Sequence, residues 1–306
     1  MPYAIETSNL SKTFDKNKAV SSLDLAIKPG EIFGLVGPDG AGKSTTMRML
    51  CGIMNPTSGA AQVAGYNVIK NPEAVKEHIG YMSQKFSLYG ELTVSENLEF
   101  FAELYGIEKG EYETRKKDLL AFSGLAPYES RVATNLSGGM KQKLALSCTL
   151  IHTPNILFLD EPTTGVDPVS RREFWRILNS LAGKVTIFVT TPYLDEAERC
   201  NRLALMHKGK IVLCDTPDAI KDYLKKEVIE VHCDDAHYIR EYVGELQTKL
   251  DIKLFGDRLH VFSSDTKADL PIVLQQLKQI KCGYFSYRIV KPTLEDVFIS
   301  LLEDKK

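Results

Sequence analysis

Residues 37–44 read Gly37-Pro38-Asp39-Gly40-Ala41-Gly42-Lys43-Ser44. This octapeptide fits the pattern G-x-x-x-x-G-K-[ST], in which glycines let backbone N–H groups turn inward around an anion. The apolar run from Ile32 to Val36 predicts a buried strand before it, and the pattern from Thr45 to Leu50 predicts a helix after it. A phosphate-binding loop requires that strand–loop–helix context. The stretch therefore predicts nucleotide binding.

Two side chains of this loop bring chemistry of their own. Lys43 is expected to reach the β- and γ-phosphates of a nucleotide, and the Ser44 hydroxyl is expected to ligate Mg²⁺. The remaining positions are expected to bind the phosphates through the backbone, and they are Gly37, Pro38, Asp39, Gly40, Ala41, Gly42 and Thr45. The alternative is a chance match. At average residue frequencies, roughly one chain of this length in a hundred would match the pattern by chance.

The composition is that of a globular protein without a strong electrostatic bias. The chain has 306 residues, of which 43% are hydrophobic and 25% charged, and its net charge is −2. That length is compatible with two domains, and that charge gives no attraction to nucleic acid or to an anionic membrane. The longest uncharged stretch, Leu144 to Leu159, is too short and too polar to span a bilayer, and the start of the chain has no signal-peptide pattern. We therefore expect a cytosolic protein.

The cysteines indicate neither a disulfide framework nor a metal site. The six cysteines are scattered, and no two of them form a C-x-x-C pair. The histidines show no ligand spacing either. Reduced, mostly buried thiols are expected.

Hydrophobic periodicity predicts strands that alternate with helices, which indicates an α/β fold. Strands are predicted at residues 3–10, 23–28, 32–36, 61–68, 79–83, 156–159, 185–190, 202–206 and 210–213. Helices are predicted at 45–50, 93–122, from 137 onward and at 169–181. Thr93 is the predicted N-cap of its helix, with Glu96 at the capping-box position.

The pattern changes after about Lys226, and we place the domain boundary there. Residues 1–226 form the first predicted domain and residues 227–306 a small C-terminal α+β domain. The second part reads as strand 228–233, helix 236–247, strands 252–255 and 259–263, helix 270–279 and strand 284–290. That order is β-α-β-β-α-β, the ferredoxin-like arrangement. It contains no phosphate loop, so a role in dimerisation or regulation is expected.

A second motif, which is acidic, follows the phosphate-binding loop along the chain. The apolar run from Ile156 to Leu159 ends in Asp160 and Glu161. Asp160 is expected to hold Mg²⁺, directly or through water, and Glu161 to polarise an attacking water. On its own this pattern would indicate an ordinary strand end with two solvated acids. In a chain with a phosphate-binding loop, the catalytic interpretation is favoured.

The segment Leu136-Ser137-Gly138-Gly139-Met140-Lys141-Gln142 completes a recognisable set of motifs. With it, residues 3–225 resemble the nucleotide-binding subunits of ABC transporters. The resemblance implies a P-loop ATPase cassette with a mixed sheet and a helical subdomain, and it implies ATP and Mg²⁺ as cofactors. It also implies that Ser137 and the amides of Gly138 and Gly139 face the γ-phosphate of ATP held by the loop of a second cassette.

Further matches follow from the same resemblance. Phe14 lies where the family places an aromatic ring that stacks on adenine, although a core phenylalanine near a strand end is an alternative. Gln84 matches the glutamine that senses Mg²⁺ and contacts the permease, so it joins the catalytic and metal sets. Residues 165–168 match the loop that crosses the dimer interface, with Val166 in place of the commoner Leu. Residues 190–198 match the switch segment.

The chain departs from the family pattern at two positions. Pro192 stands where the family has His, and proline offers neither a side-chain donor nor an N–H to the γ-phosphate. Asp39 stands where Asn is usual, which adds a negative charge near the phosphates if it is ionised. Both changes predict altered turnover without loss of ATP binding. Thr191, a backbone group or a second cassette could supply the missing donor.

The tail supports a narrower expectation. Residues 291–298, Lys291-Pro292-Thr293-Leu294-Glu295-Asp296-Val297-Phe298, resemble the end of ATPase subunits of drug- and antibiotic-export systems. The alternative is an amphipathic terminal helix. The resemblance implies an ATPase that pairs head to tail with an identical or related cassette and drives a separate membrane permease from the inner face of the cell membrane, with no nucleic-acid partner.

Other functional classes fit the sequence less well. The alternative function is a slow or non-hydrolysing regulatory cassette paired with an active one. A translation-type ABC protein would carry two cassettes, and a chromosome-type ABC ATPase would carry a long coiled coil that the segment from Gly52 to Leu136 is too short to hold.

Overall fold

The computed structural model describes residues 2–85, 88–233, 250–279 and 285–303. The chain divides into two compact units, residues 1–216 and 217–306. This division falls before the boundary predicted at residue 226, because the short helix Pro217–Lys221 packs with the terminal helix Leu294–Glu303.

The first unit contains two sheets. Its strands are β1 (Ile5–Phe14), β2 (Asn17–Ile27), β3 (Ile32–Val36), β4 (Ser58–Val63), β5 (Tyr66–Asn67), β6 (Ile79–Met82), β7 (Ile156–Asp160), β8 (Thr186–Thr191), β9 (Arg202–His207) and β10 (Lys210–Asp215). One sheet is antiparallel, in the order β2-β1-β4-β5. The other has the order β10-β9-β3-β8-β7-β6 and is parallel except for the β9–β10 hairpin.

The parallel strands bring the motifs to one edge. β3, β7 and β8 are buried at every position, as expected for strands that are covered on both faces and have continuous apolar sequences. In their register Val36 pairs with Thr191, and Asp160 pairs with Thr190. The phosphate-binding loop, the acidic motif and the switch segment therefore leave the sheet at the same carboxyl edge.

The helices of the first unit lie between these strands in sequence. They are α1 (Lys43–Leu50), α2 (Pro72–His78), α3 (Val94–Leu104), α4 (Lys109–Ser123), α5 (Gly138–Leu150), α6 (Pro168–Leu181) and α7 (Leu194–Ala197). α3, α4 and α5 share an apolar core of their own, which forms the helical subdomain. The capping box is confirmed: Thr93 Oγ1 accepts from Glu96 N at 3.2 Å, and the Glu96 carboxylate accepts from Thr93 N at 2.7 Å.

Two details of the predicted elements were wrong. The single helix predicted at 93–122 is broken between Leu104 and Lys109, because Gly106 has φ 67° and ends α3 in the left-handed region. The strand predicted at 61–68 is a hairpin, in which Ala64 and Gly65, at φ 51° and 84°, turn the chain between β4 and β5.

The second unit is built on one antiparallel sheet. Its elements are α8 (Pro217–Lys221), β11 (Glu227–Cys233), β12 (Asp251–Phe255), β13 (Arg258–Ser263), α9 (Thr266–Gln279), β14 (Phe285–Val290) and α10 (Leu294–Glu303). The strand order is β12-β13-β11-β14, which fits the predicted ferredoxin-like arrangement. The helix predicted at 236–247 lies outside the described residues.

One buried carboxylate organises the charged face of this second sheet. Glu230 is 5% exposed, and its oxygens contact Arg288 Nε at 2.5 Å, His232 Nε2 at 2.8 Å, and Arg258 Nη1 and His260 Nε2 at 3.4 Å each. Burial raises the pKa of Glu230, but hydrogen bonds from Arg288 and His232 outweigh it and lower the pKa to about 2. The carboxylate therefore stabilises this unit in its ionised form.

A pH series of unfolding measurements tests that statement. Because the folded-state pKa is below the ordinary value of 4.5, ionised Glu230 stabilises the fold above that pH, and this contribution is lost as the pH falls towards 2. Glu230→Gln should lower the free energy of unfolding by on the order of 3 kcal/mol at pH 7, and the difference should shrink below about pH 4.5. Urea titrations from pH 7 to about pH 3 measure it, with exposed Glu295→Gln as the control. A difference that does not change with pH would contradict the assignment.

Candidate active site

The phosphate-binding loop between β3 and α1 is closely enclosed by backbone. A Cβ at Gly37 would lie 2.2 Å from the Met206 carbonyl oxygen, and one at Gly42 would lie 2.4 Å from the Ala19 carbonyl oxygen. Gly42 also has φ 107°, which side chains rarely adopt. The two glycines of the motif are therefore required by the approach of β2 and β9 as well as by the turn itself.

Lys43 is held at the centre of the loop. Its side chain is 4% exposed, and Nζ donates to the carbonyl oxygens of Gly37 at 2.8 Å and Pro38 at 3.2 Å. The same ammonium lies 3.1 Å from Glu161 Oε1. The cation of the loop and the glutamate that is predicted to activate water are thus in direct contact.

Asp160 and Glu161 face different partners. Asp160 Oδ1 accepts from Ser44 Oγ at 3.0 Å and from Thr190 Oγ1 at 2.7 Å. Glu161 turns out of the strand at φ 49°, and its N–H donates to the carbonyl oxygen of Thr190 at 3.1 Å and to its hydroxyl at 3.0 Å. Glu161 Oε2 accepts from Gln84 Nε2 at 3.0 Å. The predicted catalytic and metal residues are therefore brought together.

Two threonines of this site carry no signal of their own in the sequence. Thr190 is marked there only as the start of the switch segment, although it contacts both Asp160 and Glu161. Thr164 lies 3.4 Å from Glu161 Oε2 through its hydroxyl. A threonine at the end of an apolar strand is ordinary, so only the register of β7 and β8 identifies Thr190 as part of the site.

A cavity of about 790 Å³ opens over the loop. Its lining includes the loop residues 39–45, Gln84 and Glu161, and also Phe14, Lys18 and Lys208. Phe14 is 42% exposed, with Lys12 Nζ 5.2 Å from its ring centroid, so the alternative of a core phenylalanine is wrong. Sequence reasoning does not find Lys18 and Lys208, because they belong to no motif. The volume suits a nucleotide-sized ligand.

The signature segment lies elsewhere on the first unit. Ser137 caps α5 by accepting from Met140 N at 3.3 Å, and a Cβ at Gly139 would lie 2.4 Å from the Ser170 side chain. Ser137 and Gly138 are exposed. Among the described residues that line the loop cavity, positions 137–139 do not occur. One chain therefore does not bring its own signature to its own loop.

The contacts of Thr191 exclude it as the donor that replaces the missing histidine. Thr191 is fully buried, and its hydroxyl donates to Glu196 Oε2 at 2.7 Å and accepts from Tyr193 N at 3.0 Å. That hydroxyl is already committed to protein partners. A donor at Pro192's place must therefore come from another group.

Two ionisable groups, Cys51 and Tyr81, lie close enough to Asp160 to feel its charge. Burial raises the pKa of Cys51 and of Tyr81, and the charge of Asp160 raises both further. Both groups are therefore protonated at neutral pH and add no negative charge of their own beside Asp160.

The donor set at Asp160 fits Mg²⁺. The ion usually takes one or two carboxylate ligands and completes its octahedron with water and substrate phosphates. Ser44 Oγ and Asp160 Oδ1 offer adjacent hard oxygens beside the loop. No group of three or more His, Cys, Asp or Glu side chains that could hold a metal occurs in the described part of the chain, so a metal held only by such side chains is not indicated there.

Within the same residues, no helix is long and apolar enough to cross a bilayer.

Comparison with known proteins gives consistent matches. Residues 20–164 match the family model described as ABC transporter. The chain is 49% identical over 219 residues to the probable multidrug ABC transporter ATP-binding protein YbhF of Escherichia coli, a match that covers 71% of this chain but only 38% of that protein. It is 38% identical over 304 residues to Nod factor export ATP-binding protein I of Rhizobium etli, covering 97% of this chain and 93% of that protein. A solved ATP-binding subunit of an ABC transporter superposes with a TM-score of 0.65 at 31% identity, covering 72% of this chain and 93% of that one.

Proposed function

This chain belongs to the ATP-binding proteins of ABC transporters, and we propose that it hydrolyses ATP between two cassettes to drive export through a membrane permease. The observation that carries the proposal is the contact of Lys43 and Gln84 with the Glu161 carboxylate, at 3.1 and 3.0 Å, beside the phosphate-binding loop. Cassettes of this family are ATPases. The relatives named above, one a probable multidrug transporter protein and one a Nod factor export protein, support export as the direction.

ATP binding is assigned to the cavity over the loop. The exposed ring of Phe14 lines this cavity and would stack on adenine, and the amides of the loop and of the α1 N-terminus would bind the phosphates. Lys43 would bind the β- and γ-phosphates from its position inside the loop. The roles of Gly37 to Thr45 are proposals on the same geometry.

Hydrolysis is assigned to Glu161. Its carboxylate is 8% exposed and is held by Lys43, Gln84 and the Thr164 hydroxyl, while its backbone N–H is fixed on Thr190. A carboxylate fixed in this way can orient a water and take its proton. Ser44, Asp160 and Gln84 would hold Mg²⁺, which supplies charge neutralisation at the phosphates when bound.

The second cassette and the permease complete the proposal. Since Ser137, Gly138 and Gly139 do not line the cavity of their own chain, we propose that they meet the ATP bound by another copy or a related cassette. The permease would hold this pair at the cytoplasmic face of the membrane. The regulatory alternative is not favoured, because Nod factor export ATP-binding protein I matches along nearly the whole chain.

Glu161→Gln tests the proposed function. The variant keeps the loop and the signature but loses the base, so it should bind ATP and form a closed dimer that hydrolyses at least ~100-fold more slowly than the parent. Steady-state phosphate release and size-exclusion chromatography with Mg-ATP measure the two properties. Glu31→Gln, which changes another buried carboxylate of this unit, is the control that should hydrolyse ATP at the parent's rate. Phosphate release by Glu161→Gln at the parent's rate would overturn the assignment of the base.

Pro192→His tests the effect of the missing donor. A donor aimed at charge that develops in the transition state is worth about 10²–10³ in rate, so the parent homodimer is expected to turn over slowly. Pro192→His should raise its rate, because Thr191 is committed to Glu196 and does not replace the histidine. The measurement is ATPase activity at saturating Mg-ATP, with folding checked by thermal melting. A folded variant with unchanged or lower activity would show that this donor does not limit the reaction.

A further inference from the structure

Glu196, in α7, is a fully buried carboxylate that the proposed reaction does not use. Its partners come from separate segments of the chain. Its Oε2 accepts from Thr191 Oγ1 at 2.7 Å, at the end of β8, and its Oε1 accepts from the hydroxyl of Thr163, in the loop after Glu161. Arg171 Nε, on α6, lies 3.4 Å from the same Oε1. A buried charge persists only when such donors compensate it.

Arg171 extends these contacts along the switch segment. Its guanidinium lies 4.3 Å from the centroid of the Tyr193 ring, in a cation–π arrangement, and its Nη1 lies 3.8 Å from Asp195. Tyr193 N in turn donates to Thr191 Oγ1 at 3.0 Å. Residues 191–196 are therefore fastened to α6 on one side and to the loop after Glu161 on the other.

Thr163, which donates to Glu196, is only two residues after Glu161, the proposed catalytic base. Thr163 and Glu161 belong to one turn, which is closed by Thr164 N donating to the Glu161 carbonyl at 3.2 Å and Val166 N donating to the Thr163 carbonyl at 3.1 Å. One end of this turn is fixed where Glu161 N donates to Thr190. The other end is fixed by Glu196. Both contacts therefore fix the backbone from which the Glu161 side chain extends.

We propose that Glu196 is a positioning residue for hydrolysis. Together with Thr163, Thr191 and Arg171 it forms the Glu196 network, which fixes the switch segment against the turn that carries Glu161. Pro192 has no side-chain donor, so these neighbouring contacts hold the segment that the residue at position 192 cannot hold by itself. The inference rests on the proposed ATPase function, and it concerns where Glu161 points, not how ATP binds.

Kinetics of Glu196→Gln provide the first test. The amide has nearly the same shape, but one of its ends cannot accept from a threonine hydroxyl and it no longer compensates Arg171. A catalytic group displaced by about 1 Å can lose ~100-fold in rate, so kcat should fall by at least ~10-fold. The KM for ATP should stay within about twofold, because the bond that joins the phosphate-binding loop to this network, from Gly37 N to the Thr191 carbonyl oxygen at 3.4 Å, is between backbone atoms that the substitution leaves in place.

Matched variants separate positioning from stability. Glu31 is a second buried carboxylate of the same unit, paired with Arg202 at 3.1 Å and not a member of the Glu196 network, so Glu31→Gln should lower Tm without lowering kcat. Thr191→Val replaces the hydroxyl with a methyl group of similar size and should lower kcat as Glu196→Gln does. Thr191→Ser keeps the hydroxyl and should recover most of the rate. Equal kcat in the parent, Glu196→Gln and Thr191→Val would overturn the inference.

Amide hydrogen exchange tests the same proposal without requiring that the protein hydrolyse ATP. Amide hydrogen exchange over residues 161–166 should quicken in Glu196→Gln and Thr191→Val and stay unchanged in Glu31→Gln. If the parent itself does not hydrolyse ATP, the proposed function fails, and the exchange result still decides the inference. Unchanged exchange over 161–166 in folded Glu196→Gln and Thr191→Val would overturn it.

Discussion

The register of three buried parallel strands is the constraint on which this active site depends. β3, β7 and β8 pair so that Val36 lies beside Thr191 and Asp160 lies beside Thr190. Lys43 and Ser44 follow β3, Asp160 and Glu161 lie at the end of β7, and Thr190 lies near the end of β8. A slip of one residue would turn Asp160 to the opposite face of the sheet, away from Ser44. The continuous apolar sequences of these strands, buried on both faces, hold that register in place.

The sequence predicts those parts of the site that lie within one local motif. The octapeptide at 37–44 and the strand end at Asp160 and Glu161 have fixed spacing and distinctive residue types, so the amino-acid sequence alone is enough to predict their roles. Thr190 and Lys208 cannot be assigned in this way, because their approach to the loop depends on pairings between distant strands. The break at Gly106 escapes prediction for a related reason: apolar periodicity continues on both sides of it, and a single glycine is tolerated within many helices.

Two buried glutamates have corresponding structural roles in the two units. The Glu230 carboxylate contacts arginine and histidine side chains of neighbouring strands. The Glu196 carboxylate contacts hydroxyls and a guanidinium of the elements around the switch segment. Burying a carboxylate is costly, so each one stabilises only the arrangement that supplies all of its donors. In the first unit that arrangement includes the turn of Glu161. The positioning that we propose for Glu161 therefore depends on contacts that lie outside the recognisable motifs.

The central claim is that one chain holds an incomplete site, with its loop and its signature directed at different molecules. Mixing two inactive variants tests it most directly. Lys43→Ala removes the cation of the loop, and Ser137→Arg blocks the exposed start of α5, so each homodimer should be inactive. The mixture should regain ATPase activity, because a mixed dimer combines the intact loop of one variant with the intact signature of the other. Folded variants that associate yet show no activity when mixed would contradict the claim.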